Sequence, residues 1–174
     1  MAAPLLVAYA TRYGSTEEVA RVVGGRLGEK GVEADVLRAR RVRGLEGYRA
    51  VVLATPFYFG SMLKEARTFL DRHRQSIEST SLAILALGPI SAADPPAEAR
   101  AQLDGVLARM PWVRPEAAAM FVGRYDPSRL RPFHRLIAAL PASPLHGVPA
   151  RDDRDWAAIR AWVDALPAAF TRET

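Results

Sequence analysis

Three short runs, Leu5-Leu6-Val7-Ala8, Ala50-Val51-Val52-Leu53-Ala54 and Leu82-Ala83-Ile84-Leu85-Ala86-Leu87, are apolar at every position. A strand with one solvated face alternates apolar and polar residues. A run with no polar member therefore predicts a strand covered on both faces, as in a parallel sheet. Segments with helical spacing separate the runs: Val19, Val22, Val23 and Leu27 after the first, then Leu63, Ala66, Phe69 and Leu70, starting near Met62, after the second. Such intervening helices are what parallel strands need, because the chain must travel back along the sheet before the next strand begins.

The same rhythm extends to both ends. Gly31 stands where the first helix needs a C-terminal glycine, and alternating Val32, Ala34 and Val36 predict a second strand. Asp94 followed by Pro95 and Pro96 is a helix-start signal, with Leu103, Val106, Leu107 and Met110 as the apolar face behind it. Ala117 to Val122 supplies a fifth strand. Two more helices follow, one burying Leu130, Phe133, Ile137 and Leu140, the other Trp156, Ile159, Val163 and Leu166. The expectation is an α/β fold with a doubly wound, five-stranded parallel sheet in the order 2-1-3-4-5. With 174 residues, 49% of them hydrophobic, and no internal repeat or composition break, the chain reads as one domain over residues 1–174.

Composition narrows the chemistry. There is no cysteine, so neither a thiolate nucleophile nor an iron–sulfur cluster is available, and redox work would fall to a bound cofactor. His73, His134 and His146 are far apart and share no metal-ligand spacing, so no metal site is expected. The net charge of +5 comes from 22 arginines and two lysines, clustered at Arg38, Arg40, Arg41, Arg43 and Arg49. That cluster reads either as solvated surface or as a patch for anionic lipid or an acidic partner. No aromatic-interleaved motif accompanies it, so nucleic acid is not expected. The N-terminus lacks a signal-peptide pattern, and no long uninterrupted apolar run occurs, which predicts a soluble, cytoplasmic protein.

In this topology the loops after the first, third and fourth strands share the carboxyl edge of the sheet, where ligands bind. The first loop is Tyr9-Ala10-Thr11-Arg12-Tyr13-Gly14-Ser15-Thr16. Hydroxyls, a glycine and the free N–H groups of a helix N-terminus can hold a phosphate without a lysine, though Ser15 or Thr16 could equally cap an ordinary turn. The second loop is Thr55-Pro56-Phe57-Tyr58-Phe59-Gly60-Ser61. Its aromatics need cover, which a planar ligand ring would give, as would the core or a subunit interface for Phe57 and Phe59. The third loop, Gly88-Pro89-Ile90-Ser91, combines close backbone approach with free N–H groups, and is also common turn chemistry.

A phosphate cradle, an aromatic wall and a glycine loop together suit a ligand with a phosphate tail, a polar linker and a flat ring, and FMN has these parts. There is no Gly-x-x-x-x-Gly-Lys loop and no Gly-x-Gly-x-x-Gly fingerprint after the first strand. A phospho-receiver would need carboxylates where Tyr9-Ala10 and Ala54-Thr55 stand.

On these residues the chain resembles the flavodoxin-like family, a three-layer sandwich, and more closely its branch containing the menaquinone-dependent protoporphyrinogen oxidase. Thr11 to Thr16 resembles the branch's FMN phosphate loop and Tyr58-Phe59-Gly60 its flavin loop. Phe121-Val122-Gly123-Arg124-Tyr125 and Asp155-Trp156 through Trp162 resemble its fifth strand and terminal helix. The resemblance implies that Thr11, Arg12, Tyr13, Gly14, Ser15 and Thr16 contact the phosphate. Thr55, Pro56, Phe57, Tyr58, Phe59 and Gly60 would line the isoalloxazine, with Gly88, Pro89, Ile90 and Ser91 as a third wall. It implies an FMN-dependent oxidoreductase passing electrons or hydride to a quinone or another acceptor, or alternatively a non-enzymatic electron carrier that docks to redox partner proteins. No catalytic side chain is assigned. A homodimer and weak contact with the inner membrane surface are both compatible with the sequence.

Overall fold

The computed structural model describes residues 3–58, 60–88, 96–143 and 146–171. Strand β1 (Leu5–Tyr9) is followed by helix α1 (Ser15–Glu29), which returns the chain to edge strand β2 (Ala34–Arg38). The turn out of α1 is built by Gly31, at φ +78°. Val32 N–H donates to the Leu27 carbonyl and Gly31 N–H to that of Gly28, while Val32 and Leu27 are both buried.

Strand β3 (Ala50–Tyr58) pairs parallel with β1, in register Leu5 with Ala50 and Tyr9 with Ala54. Beyond a two-residue connection, β4 (Ser61–Met62) folds back antiparallel on its end. Helices α2 (Lys64–Arg72) and α3 (Arg74–Ile77) lead to β5 (Ser81–Gly88), and α4 (Pro96–Leu107) leads to β6 (Ala117–Val122). The parallel strands lie in the order β2-β1-β3-β5-β6. Counted among themselves they run 2-1-3-4-5, the order expected from the sequence.

The apolar runs are buried on both faces because alternate residues feed two cores. Leu6, Ala8, Val51, Leu53, Leu82 and Ile84 face one layer with Phe69, Leu70, Leu103 and Val106. Leu5, Val7, Val52, Ala83 and Leu85 face the other with Val19, Val23 and Leu27. That second layer is completed by Ile159 and Val163 of helix α6 (Trp156–Asp164) and Phe170 of α7 (Ala168–Thr171). Asp155 caps α6, its carboxylate accepting from Ala158 N–H at 2.9 Å.

Two features differ from the sequence reading. The aromatic segment after β3 is not an open loop: β3 continues to Tyr58, supported by β5 as far as the pair of Pro56 with Leu87, and the hairpin with β4 delays the helix to Lys64. Pro56 has no N–H to give, and it lies beyond the last pair of β1 with β3, Tyr9 with Ala54, while its carbonyl still accepts from Leu63 N–H. The second feature is helix α5 (Pro132–Ala139), which forms but does not bury Phe133, Ile137 and Leu140; within the helix only Ala138 is buried. Both faces of the sheet are already covered, by α1 and α6 on one side and α2 to α4 on the other, leaving α5 no open sheet surface. Before it, β7 (Arg124–Tyr125) pairs with β8 (Arg151–Asp152) in a small antiparallel ladder.

Candidate functional site

The site is built where β1 stops and α1 starts. Ala10 N–H donates to the Ala54 carbonyl, fixing the loop's exit beside β3. Gly14 then turns the chain at φ +91°, a left-handed conformation costly for other residues, and its N–H donates to Thr11 Oγ1 at 2.9 Å. A side chain at Gly14 would point into open space, with Arg129 Nη1 as its nearest neighbour at 3.9 Å. No side chain caps α1, so the N–H groups of Ser15, Thr16 and Glu17 begin the helix without an intrahelical acceptor. Thr16 is fully buried and its Oγ1 has no hydrogen-bond partner. A buried hydroxyl without a partner costs stability unless a ligand satisfies it, and here it lies beside uncapped amides at the positive end of a helix.

The carboxylates of the first turn of α1 are paired with arginines. Glu17 pairs with Arg21 at 2.7 Å, which holds its pKa below the ordinary value. Glu18 is met by Arg154 at 2.8 Å and by Arg124 at 3.5 Å. Arg154, with a side chain only 3% exposed, also donates to the Ser15 carbonyl at 3.2 Å, pairs with Asp152, and lies over the Trp156 ring at 4.5 Å. Asp152 is held low in pKa chiefly by its hydrogen bond from Arg154. On the opposite flank Arg38, held by both oxygens of Glu65, donates to the Thr11 carbonyl at 3.1 Å. The loop is thus clamped from both sides by arginines.

The second segment meets the first through Arg12, whose guanidinium lies 5.7 Å from the centre of the Tyr58 ring. Burial and the neighbouring Tyr13 push the Tyr58 phenol up to about 12, so it stays neutral at physiological pH. Thr55 is buried and donates to the Pro56 carbonyl, while the Phe57 side chain is fully buried against α2. Phe57 therefore cannot line a ligand with its ring. Its alternation with half-buried Tyr58 is what a strand imposes, and a loop reading does not show it. Gly60 is exposed in the hairpin turn at φ +70°. Gly88 ends β5 with its carbonyl accepting from Gly123 N–H, so close that a Cβ on Gly123 would sit 3.1 Å from that oxygen. Phe59, Pro89, Ile90 and Ser91 lie outside the described residues.

Arg38, Arg154, Arg129 and His134 were not singled out for the site from sequence. His134 Nδ1 lies 2.5 Å from Tyr13 Oη, joining α5 to the β1–α1 loop. Arg38 is hidden among surface-like arginines. Arg154, set in the acidic stretch Asp152-Asp153-Arg154-Asp155, carried a faint signal of pairing. A cavity of about 690 Å³ beside Thr80, Trp112 and Glu116 lies at the opposite, amino edge of the sheet.

The structures this chain is similar to share this arrangement of layers. Rubredoxin oxygen:oxidoreductase from Desulfovibrio gigas matches with a TM-score of 0.58 at 13% identity, over 96% of this chain and 36% of that one. A candidate flavoprotein from Bacteroides eggerthii matches with a TM-score of 0.54 at 15% identity, over 94% of this chain and 97% of that one. Oxidised Flavodoxin 1 from Bacillus cereus matches with a TM-score of 0.51 at 17% identity, over 71% and 86% of the two chains. At such identities the likeness is one of fold. No curated protein matches in sequence. The model of the flavodoxin domain family matches residues 6–148. The uncapped amides of α1, the open side of Gly14 and the orphaned Thr16 hydroxyl form a donor set that fits the FMN phosphate. With that match spanning most of its length, the chain belongs to the flavodoxin domain family, which implies FMN as its cofactor.

Proposed function

We propose that the chain is an FMN-dependent oxidoreductase related in type to the protoporphyrinogen oxidase branch, handing electrons to a quinone-type or other acceptor. The observation that carries the cofactor half of this reading is the buried, partnerless Thr16 hydroxyl beside the uncapped start of α1. When bound, FMN supplies the electron chemistry. The chain's own residues do the rest. The amides of Ser15 to Glu17 and the Thr11 and Thr16 hydroxyls would bind the phosphate, and Arg38 and Arg154 hold that loop in shape from outside. Tyr58, neutral and half-buried, would give the ring an uncharged wall and keep water from it.

The oxidoreductase half is supported by the segments that carry the branch resemblance, because they pack onto the cradle. Arg124 pairs with Glu18 of the first turn, and Trp156 opens α6 under the guanidinium of Arg154. A net charge of +5 also suits a small anionic or neutral substrate better than docking to a basic redox protein. Stopped-flow reoxidation of the reduced, FMN-loaded chain separates the two roles. Rapid reoxidation by a water-soluble menaquinone analogue, with turnover on a small reductant, supports the enzyme. Reoxidation only by protein partners would assign the chain to electron carriage instead.

A further inference from the structure

Among the described residues five large apolar side chains are exposed, and four belong to α5 or the residue that closes it. Phe133, Leu136, Ile137 and Leu140 are 68, 65, 41 and 51% exposed. Their spacing of three, four and seven is that of a helix's buried stripe, yet this stripe faces solvent. The helix and its N-cap carry charge of one sign, with Arg131 and Arg135 and no acidic residue from Arg131 to Leu140. Farther out Arg129 pairs with Asp126 at 3.5 Å and Arg151 with Asp153 at 3.0 Å, so the basic flank rests on Arg131 and Arg135. Arg131 and Arg135, on either side of Phe133, are both exposed. A short amphipathic helix with an apolar stripe and an arginine flank matches an anionic bilayer surface, where the stripe enters the acyl boundary and the guanidinium groups meet lipid phosphates.

We infer that α5 is a membrane-surface contact, lying in the plane of an anionic leaflet through Phe133, Leu136, Ile137 and Leu140. A second copy of the chain fits less well, since a two-fold contact on this face would set Arg131 and Arg135 against their own counterparts. The contact differs from the Arg38–Arg49 cluster, where Arg38 is already committed to Glu65 and the Thr11 carbonyl. Because His134 of α5 bonds Tyr13, the helix carries the phosphate loop with it to the surface. No helix of the described residues is long and apolar enough to cross a membrane, so the contact is peripheral.

The test is flotation of the full chain with vesicles of equimolar phosphatidylcholine and phosphatidylglycerol, and with vesicles of phosphatidylcholine alone. It is run with and without FMN, so lipid binding stands or falls apart from the redox reading. Binding to the phosphatidylglycerol vesicles should exceed binding to phosphatidylcholine and weaken with salt. Phe133→Ser with Leu136→Ser should lower the partition roughly tenfold or more. These side chains touch little of the core, so far-UV circular dichroism should not change. Arg40→Gln with Arg43→Gln should leave binding in place. The inference is overturned if the chain does not bind phosphatidylglycerol vesicles, or if the α5 variant binds as well as the parent. It is overturned equally if sedimentation shows a dimer that the α5 variant converts to monomer, which would make the stripe a subunit interface.

Discussion

Replacing Thr16 by valine exchanges one hydroxyl for a methyl of nearly the same volume at a fully buried position, so it opens no cavity. Without FMN the parent carries Oγ1 as an unsatisfied buried group, a burden of about 1–3 kcal/mol. The variant is relieved of it and should resist denaturation better than the parent by up to that amount. With FMN the sign reverses. A hydrogen bond to a charged phosphate contributes about 1.5–3 kcal/mol, so its loss should weaken binding roughly 10- to 140-fold. Urea denaturation of the FMN-free chain reads the first effect, and quenching of FMN fluorescence on titration reads the second. Opposite signs from one substitution are hard to obtain in any other way. A variant less stable without FMN would mean that the hydroxyl has a structural partner, and an unchanged affinity would mean that it does not meet the phosphate.

Arg154→Met should destabilise the chain by about 1–3 kcal/mol in urea, below the cost of breaking a fully buried pair, because Asp152 and Glu18 are 40 and 43% exposed and can rehydrate. An unaltered midpoint would show that the guanidinium does not tie α6 to the start of α1. His73 is buried with Nε2 lacking a partner, and burial together with the charge of Arg72 lowers its pKa below 6.5. A lowered histidine pKa makes the unfolded state the better proton acceptor. Its contribution is therefore complete above pH 6.5 and is lost as the pH falls through 6.5 toward the lower folded value. His73→Gln should flatten the loss of stability between neutral and mildly acid pH, and a slope equal to the parent's would contradict this.

Much of the fold was legible because burial writes itself directly into composition. Leu5 to Ala8, Ala50 to Ala54 and Leu82 to Leu87 could be fully apolar only if both sheet faces were covered, and they are. The end of β3 was less legible. Thr55 to Tyr58 contains a proline and reads as a loop, yet its neighbours in β5 and β4 extend the ladder, a tertiary effect that local chemistry does not report. Helix α5 shows the converse limit, since periodicity announces an apolar stripe but cannot say whether a surface remains for it to cover. In the candidate site, Gly14 and the hydroxyls beside it marked the loop, but whether Ser15 or Thr16 caps the helix stayed open until the structure showed α1 without a side-chain cap. The clamps from Arg38 and Arg154 were not legible. They come from 27 and 139 residues away from the atoms they bind, and nothing in local sequence separates a clamping arginine from a solvated one.

FMN binding at the β1–α1 loop is tested most directly by fluorescence titration of FMN with the purified, flavin-free chain. Saturable quenching that ends at one FMN per chain is expected. FMN fluorescence that stays undiminished with the chain in excess would contradict that binding.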